Sequence, residues 1–249
     1  KSLALLKNKC LICINQDPLA LQAHVVKVTD GVYLYVKDML TLNGTIRAVA
    51  IYNPTDSDRV FSLNMADVDL EGKVKVLDAF TQKKLNDIST GTMQVDVQRH
   101  DTRIFLLAGE KRKQRTVYEA ETAWLERFQC LGKNNNLGYA AYSDDSICSG
   151  GGKVEWLGNN KDNYIEWRNI FSKKDGTYIM TLSYITDEDK SVFCSVNGGK
   201  KFEIKAPGND KSIVKSVKYR IRLKKGMNTI RIGNANAWCP DIDKITITK

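Results

Sequence analysis

Short runs of alternating apolar and polar residues, separated by turn dipeptides, constrain the fold of this 249-residue chain more than any other feature. Before residue 110 these runs cover residues 25–29, 32–36, 46–52, 60–63, 74–77, 93–97 and 104–107. The dipeptides between them include Asp30-Gly31, Asn43-Gly44, Asn53-Pro54, Glu71-Gly72 and Thr90-Gly91. Because successive side chains of a strand point to opposite faces, this pattern predicts antiparallel strands that each bury one face. We therefore expect a β-sandwich over residues 21–109.

The same alternation returns at residues 176–184, 191–196 and 217–223. It predicts a second sandwich, of the jelly-roll type, over residues 117–249. Residues 110–116 between the two are polar and basic, which favours a linker. The predicted fold class is all-β, with two β-sandwich (jelly-roll or Greek-key) domains in tandem.

The N-terminal segment, residues 1–20, differs from this β pattern. Leu6, Cys10 and Ile14 recur at roughly helical spacing, and Asp17-Pro18 then interrupts the helix. A single terminal helix cannot bury its apolar face alone. We interpret this segment as a short helix and exit loop that remain from a larger upstream element.

The net charge of +9 raises the question of a nucleic-acid partner. The basic and acidic residues before position 111 balance, and much of the excess lies in the short segment 111–116. A nucleic-acid footprint requires a basic face with interleaved aromatic residues, so this distribution predicts no nucleic-acid partner. No run of about 18 apolar residues occurs, so the sequence also predicts no membrane partner.

Two acidic pairs bracket the second predicted domain: Glu119 and Glu121 near its start, and Asp241 and Asp243 near its end. On a strand, residues i and i+2 share a face, so each pair can direct two carboxylates to one place. Hard oxygen ligands gathered in this way suit Ca²⁺. Glu119, Glu121 and Asp243 are the candidate ligands of a structural Ca²⁺, with Asp241 in reserve.

An ordered set of motifs accompanies these pairs. It comprises Tyr118-Glu119-Ala120-Glu121, Cys148-Ser149-Gly150-Gly151, Val196-Asn197-Gly198-Gly199, Gly226-Met227-Asn228-Thr229-Ile230 and Trp238-Cys239-Pro240-Asp241-Ile242-Asp243. Residues 117–249 thereby resemble a carbohydrate-binding module of the family 6/family 35 type. The resemblance implies a jelly roll with a calcium ion where the first and last strands meet, with backbone carbonyls near residues 149–153 as further ligands. The alternative is an ion-paired edge with Lys153 or Lys244 as the partner.

The resemblance also implies sugar-binding loops at one end of the sandwich. Sugars present apolar CH faces and rings of hydroxyls, so a site needs an aromatic platform and polar hydrogen-bonding groups. The candidates are Trp238, Asn236, Tyr142 and Tyr139, in that order. An alternative role for Trp238 is to pack over the calcium loop.

Four other residues have mainly structural interpretations. Trp156 and Trp167 alternate with polar residues, which predicts that both lie in the core. Cys148 and Cys239 lie in motifs expected near the carboxylate cluster, and a disulfide between them is conceivable in an exported protein.

The segment from Lys7 to Leu19, which ends in Asn15-Gln16-Asp17-Pro18-Leu19, is similar to the last barrel helix and its exit loop in family 27 glycoside hydrolases, the α-galactosidase type. Residues 48–53 and 76–80 resemble strands of that family, although Phe80 stands where the family has Trp. This resemblance covers residues 1–109. It implies an α-galactosidase parent whose catalytic carboxylates lie in an upstream barrel that is missing from this sequence.

The expected function follows from both resemblances. Residues 1–249 are predicted to be a non-catalytic region of an extracellular or periplasmic α-galactosidase that binds a galactose-containing glycan as its carbohydrate ligand. The alternative is that both sandwiches only support the missing barrel.

Overall fold

The computed structural model describes residues 5–41, 43–129 and 137–249. The chain divides into two compact units, with the boundary between Gln114 and Arg115. Both units consist mainly of antiparallel strands, which confirms the predicted all-β class. In the described part of the chain, no helix has the length and apolar character needed to cross a membrane.

In its described residues, the first unit contains helix α1 (Lys9–Asn15) and seven strands. The strands are β1 (His24–Thr29), β2 (Val32–Asp38), β3 (Ile46–Asn53), β4 (Arg59–Asn64), β5 (Leu70–Asp78), β6 (Thr92–Val97) and β7 (Asp101–Arg112). One sheet has the order β1-β2-β3-β7-β5, and β4 pairs with β6 in a second sheet. Strand β2 shows the cause of this layering, because its residues alternate strictly between buried and half-buried. Its buried residues join the core with Phe61, Leu63 and Phe105.

Asn8 determines where helix α1 begins. Its side-chain oxygen accepts hydrogen bonds from the backbone N–H groups of Cys10 and Leu11, as an N-cap does. Its side-chain amide donates to the carbonyl oxygens of Ala79 and Phe80, 2.9 and 3.0 Å away. The short helix predicted from the sequence is therefore present, and one side chain both starts it and fastens it to the strand region.

Strand β7 extends further than the sequence indicated. It continues through Arg112, so residues 110–112 are strand rather than linker. Arg112 is buried and its Nη1 lies 2.5 Å from Asp38 Oδ1, while Arg47 Nη2 lies 3.2 Å from Asp38 Oδ2. The sequence pattern missed this because a basic residue is ordinarily solvated, whereas here the buried Asp38 and the carbonyl oxygen of Gly44 both accept hydrogen bonds from Arg112.

The second unit contains two larger sheets. Its strands are β8 (Val117–Glu119), β9 (Trp124–Leu125), β10 (Ala141–Asp144), β11 (Gly152–Glu155), β12 (Tyr164–Ser172), β13 (Gly176–Thr186), β14 (Lys190–Val196), β15 (Phe202–Ala206), β16 (Asp210–Leu223), β17 (Gly226–Gly233) and β18 (Asp241–Thr248). One sheet has the order β10-β11-β18-β13-β16, with β8 paired to β18. The other has the order β15-β14-β17-β12-β9. Apolar side chains of both sheets form one core that includes Trp167, as predicted.

Candidate functional site

The acidic residues near the start of the second unit reach one place by two routes. Glu119 ends strand β8, which pairs with β18 so that Glu119 lies opposite Lys244. Glu121 lies in a 3-10 turn, Ala120–Thr122, rather than on the strand. The two side chains therefore do not share a strand face, as the i, i+2 argument assumed. The turn brings Glu121 back to the same region.

Ser149 joins Glu119 to Asp243. Its backbone N–H donates to Asp243 Oδ1 at 2.8 Å. Its hydroxyl oxygen lies 2.5 Å from Glu119 Oε2 and 3.1 Å from Asp243 Oδ1. The carboxylates from the first and last strands of this unit are thus brought together, although 94 residues separate Ser149 from Asp243.

The glycine run after Ser149 leaves room for the third carboxylate. Gly150 has a φ of 68°, which a residue with a Cβ rarely adopts. A Cβ built on Gly150 would lie 2.5 Å from Glu121 Oε1. The backbone angle therefore favours glycine here, and a side chain at this position would displace the carboxylate of Glu121. We name Glu119, Glu121 and Asp243, with the 149–152 turn, the carboxylate cluster.

Burial controls the electrostatics of Glu121. Its Oε2 atom is buried and has no hydrogen-bond partner among the described residues. Burial, together with the negative charges of Glu119 and Asp243, raises the pKa of Glu121 to about 7. Lys244 opposes this shift from beside Asp243, where its Nζ lies 3.6 Å from Oδ2. The cluster thus has more negative charge than its own cations neutralise.

Asp241 takes a different role from Asp243. The register against β13 shifts between Ser183 and Tyr184, so Lys244 and Ile242 are paired while Asp243 has no ladder partner. This β-bulge interrupts the alternation of side chains along β18, so Asp241 and Asp243 need not point to the same face. Asp241 instead lies 3.0 Å from Lys153 Nζ. The ion-paired alternative therefore applies to Asp241 through Lys153 and also to Asp243 through the longer contact with Lys244.

The carboxylate cluster is not a finished coordination shell. Within residues 5–41, 43–129 and 137–249, no group of three or more His, Cys, Asp or Glu side chains is arranged to hold a metal ion. The donor chemistry still fits a hard cation, because three carboxylates converge and one buried oxygen of Glu121 lacks a partner. The glycine turn beside them adds backbone carbonyls.

Trp238 lies in the loop between β17 and β18 and is half-buried. Its ring packs edge-on against Trp156, with centroids 5.8 Å apart and an interplanar angle of 84°. Trp156 is 44% exposed and has a φ of 58°, so its predicted place in the core is wrong. Strand β11 ends at Glu155, just before the alternation reaches Trp156. The positive φ turns this ring outward beside Trp238.

Backbone hydrogen bonds clamp these two loops together. The N–H of Asn159 donates to the carbonyl of Ala237 at 2.8 Å, and the N–H of Cys239 donates to the carbonyl of Leu157 at 2.8 Å. Gly158 has a φ of 94°, and a Cβ there would lie 2.5 Å from the Ala237 carbonyl oxygen. The sequence analysis did not predict this contact between the two loops.

Asn163 forms hydrogen bonds to the loop that carries Trp156. The sequence analysis did not identify this residue. It is fully buried, and its side-chain oxygen accepts a hydrogen bond from the N–H of Ala140 at 3.0 Å. Its amide donates to the carbonyls of Trp156 and Gly158, both at 2.8 Å. One side chain therefore connects the loop before β10 to the loop that carries Trp156.

Asn236 is exposed beside Trp238. The side-chain oxygen of Asn234 accepts a hydrogen bond from the Asn236 N–H at 3.1 Å, which holds the backbone in a turn. Asn236 lines two grooves. One also contains Tyr164, and the other also contains Trp238.

The two predicted tyrosines point to different neighbours. Tyr142 donates its hydroxyl to the carbonyl of Ala123 at 3.0 Å, and burial of that hydroxyl together with the charge of Glu121 raises its pKa to about 12. The hydroxyl of Tyr139 accepts a hydrogen bond from Arg127, whose guanidinium lies over the ring. Tyr142 is thus near the carboxylate cluster. Residues 130–136, which precede both tyrosines, lie outside the described residues.

Cys148 and Cys239 do not pair. Both are buried free thiols. Burial raises the pKa of each to about 12. They therefore act as small apolar side chains beside the carboxylate cluster and the Trp238 loop.

Comparison with known families gives a match to most of the first unit. Residues 29–107 match the family described as the alpha galactosidase C-terminal beta sandwich domain. No curated protein matches the chain.

Solved structures were also similar to the chain. A family 35 carbohydrate binding module from Clostridium thermocellum is 29% identical, with a TM-score of 0.46, and the similarity covers 53% of this chain and 98% of that one. Alpha-galactosidase I from Mortierella vinacea is 20% identical, covers 45% and 29%, and has a TM-score of 0.40. An isomalto-dextranase from Arthrobacter globiformis T6 is 15% identical, covers 86% and 36%, and has a TM-score of 0.52. At that identity, the last likeness supports the fold alone, and this chain spans about a third of that enzyme.

Proposed function

From the match of residues 29–107 to the C-terminal β sandwich of alpha-galactosidases, we propose that this chain is a non-catalytic region of such an enzyme. Its second unit, Arg115–Lys249, binds a galactose-containing glycan. Catalytic carboxylates would lie in an upstream barrel, at the C-terminal ends of its strands. A tethered binding unit raises the effective concentration of polymeric substrate near that barrel. Such substrates place the enzyme outside the cell or in the periplasm.

The observation that carries this proposal is the pair Trp156 and Trp238. Two indole rings stand edge to face on clamped loops, and one of them is 44% exposed. Exposed aromatic rings on rigid loops provide the apolar platform that a sugar face requires. Asn236 beside them is exposed and supplies hydrogen-bonding groups.

The test is binding of galactomannan and arabinogalactan to the full chain, measured by calorimetric titration. Trp238→Ala should weaken binding by about tenfold or more, since it removes the stacking surface. Trp124→Ala is the matched control, because Trp124 is a half-buried tryptophan of the same unit that stacks under Arg168. It should leave the affinity unchanged.

A purely structural role is the second candidate, and the half-buried state of Trp238 favours it. In that case Trp238→Ala lowers the melting temperature and the wild-type chain binds neither polysaccharide. Loss of binding with an unchanged melting temperature contradicts the structural role.

The proposal includes a structural Ca²⁺ at the carboxylate cluster. Glu119, Glu121 and Asp243 would hold it, together with carbonyls of the 149–152 turn. A bound Ca²⁺ would neutralise the converging carboxylates and supply a partner for the buried Oε2 of Glu121. It would also stabilise the loop that carries Trp238, since Asp243 lies only five residues after Trp238 in the sequence.

The calcium prediction concerns the melting temperature. EDTA should lower it and excess Ca²⁺ should restore it, because a cation that binds only the folded state stabilises that state by about 2.7 kcal/mol at 100 times its Kd. Asp243→Asn should abolish the response. Asp241→Asn is the control, since Asp241 is paired with Lys153, and it should retain the response. An EDTA-insensitive wild type excludes the metal.

A further inference from the structure

Strand β16 carries a row of cations on the outer face of its sheet. Lys218, Arg220, Arg222 and the following Lys224 recur at every second position, and all four are exposed. Side chains two residues apart on a strand lie about 6.8 Å apart on one face. The intervening Ile221 and Leu223 are buried in the core. We name the four residues the cationic row.

The strands beside the cationic row carry no compensating acid at the paired positions. Lys218 lies opposite Thr181 and Arg220 opposite Ile179 on β13. The next strand, β18, places Thr246 and Thr248 opposite those same residues. No ion pair of the cationic row occurs among the described residues. Like charges on one face repel, so the row disfavours the isolated fold unless an anion covers it.

The other sheet of the same unit shows the contrast. There, Arg168 and Arg231 both bond to the carboxylate of Glu166, at 2.7 and 2.8 Å. Arg231 also lies over the ring of Tyr164, 3.9 Å from its centroid. Arginines on that face are satisfied within the chain, whereas those of the cationic row are left available for a partner.

A shallow groove crosses the cationic row. Its lining includes Lys218 and Arg220, the hydroxyl residues Thr181 and Thr248, and the apolar Ile179. Guanidinium and ammonium groups bind carboxylate and sulfate oxygens. Threonine hydroxyls can donate hydrogen bonds to sugar hydroxyls and accept hydrogen bonds from them. The groove thus combines charge with neutral polar contacts along one direction.

We propose that the outer face of the β16 sheet binds an acidic polysaccharide, with the cationic row contacting carboxylate or sulfate groups on successive sugar units. This surface is separate from the Trp238 loop and does not depend on the galactose site. Nucleic acid fits less well, because the residues paired with the row include Thr181 and Ile179. Tyr219, an aromatic residue that also lines the groove, packs against the core beside Phe202 rather than offering its ring to a base.

The test is binding of the full chain to polygalacturonate and to chondroitin sulfate at low salt, with neutral galactomannan for comparison. The variant Lys218→Gln/Arg220→Gln/Arg222→Gln should lose at least tenfold in affinity for the acidic chains. Its side chains are exposed and the charges that it removes repel one another, so its melting temperature should not fall. The two acidic polymers separate carboxylate from sulfate as the favoured group.

The control removes the same charge from exposed residues of the same unit that lie outside strand β16, as Lys174→Gln/Lys200→Gln/Lys201→Gln. It should change the affinity less than twofold, and Trp238→Ala should leave it unchanged. Equal losses in both triple variants would reduce the effect to net charge and overturn the proposal. So would a wild type that does not bind either polymer. Tighter binding to single-stranded DNA or to anionic lipid vesicles, lost in the row variant, would assign the face to that other partner and equally overturn it.

Discussion

Burial decides the chemistry of Glu121. Its carboxyl group lies against Gly150, beside two other carboxylates, and one of its oxygens has no partner in the described part of the chain. A carboxylate in this position is disfavoured in its charged form, so it retains a proton to higher pH than usual. The same feature makes the group a strong ligand once a cation replaces the proton, since metal binding requires the deprotonated form.

This gives a pH dependence with a definite sign. The pKa of Glu121 is about 7 in the folded chain and 4.5 in its ordinary state, so between these values the folded state holds more protons than the unfolded state. In EDTA, the free energy of unfolding should therefore fall as the pH rises from about 4.5 to about 7, and then level off. The measurement is the denaturant midpoint against pH.

Glu121→Gln should flatten that fall, because the amide does not titrate. Glu188→Gln, a change at an exposed residue of the same unit, should leave it in place. If the wild type gains stability across that pH range in EDTA, the buried-carboxyl interpretation is wrong.

At the scale of elements, loops at one end of the second sandwich are held by a small number of polar contacts. The bulge in β18 moves Asp243 away from the ladder and towards Ser149. Asn163 joins the loop before β10 to the loop after β11. Loops positioned by a rigid scaffold are where binding residues concentrate. The order of these loops therefore depends on buried hydrogen bonds rather than on their own composition.

Asn163→Ala should lower the free energy of unfolding by about 2–3 kcal/mol, because it leaves the buried N–H of Ala140 and two carbonyls without partners. It should also weaken glycan binding, since Trp156 would lose its support. Denaturant unfolding and near-ultraviolet circular dichroism of the tryptophans provide the readouts.

Asn160→Ala is the matched control for that experiment. Asn160 is exposed and its side chain accepts one hydrogen bond from the nearby Asp162 N–H. The expected loss is below about 1 kcal/mol. Equal losses at both positions would show that Asn163 has no special role.

At the scale of the molecule, two units each enclose their own apolar core. The calcium prediction therefore has a whole-molecule form. Calorimetry should resolve two transitions, and EDTA should shift only the one that belongs to Arg115–Lys249, because the carboxylate cluster lies entirely in that unit. A shift of both transitions together would contradict a metal site that stabilises the second unit alone.

The sequence by itself determined the strands, the two-sandwich class and the acidic residues at both ends of the second unit. Alternation with a period of two and turn dipeptides are local properties of the sequence. They therefore predict which face of the strand Val32, Leu34 and Val36 share without knowledge of the fold.

Only the tertiary structure decided which polar groups meet. The difference between Asp241, paired with Lys153, and Asp243, bonded to Ser149, comes from a bulge that depends on pairing with β13. Trp156 faces outward because its strand ends one residue earlier than the alternation suggested. Arg112 can be buried because it forms an ion pair with Asp38, which lies 74 residues away in the sequence. Long-range contacts of this kind have no local signature, since their free energy depends on partners that only folding brings within reach.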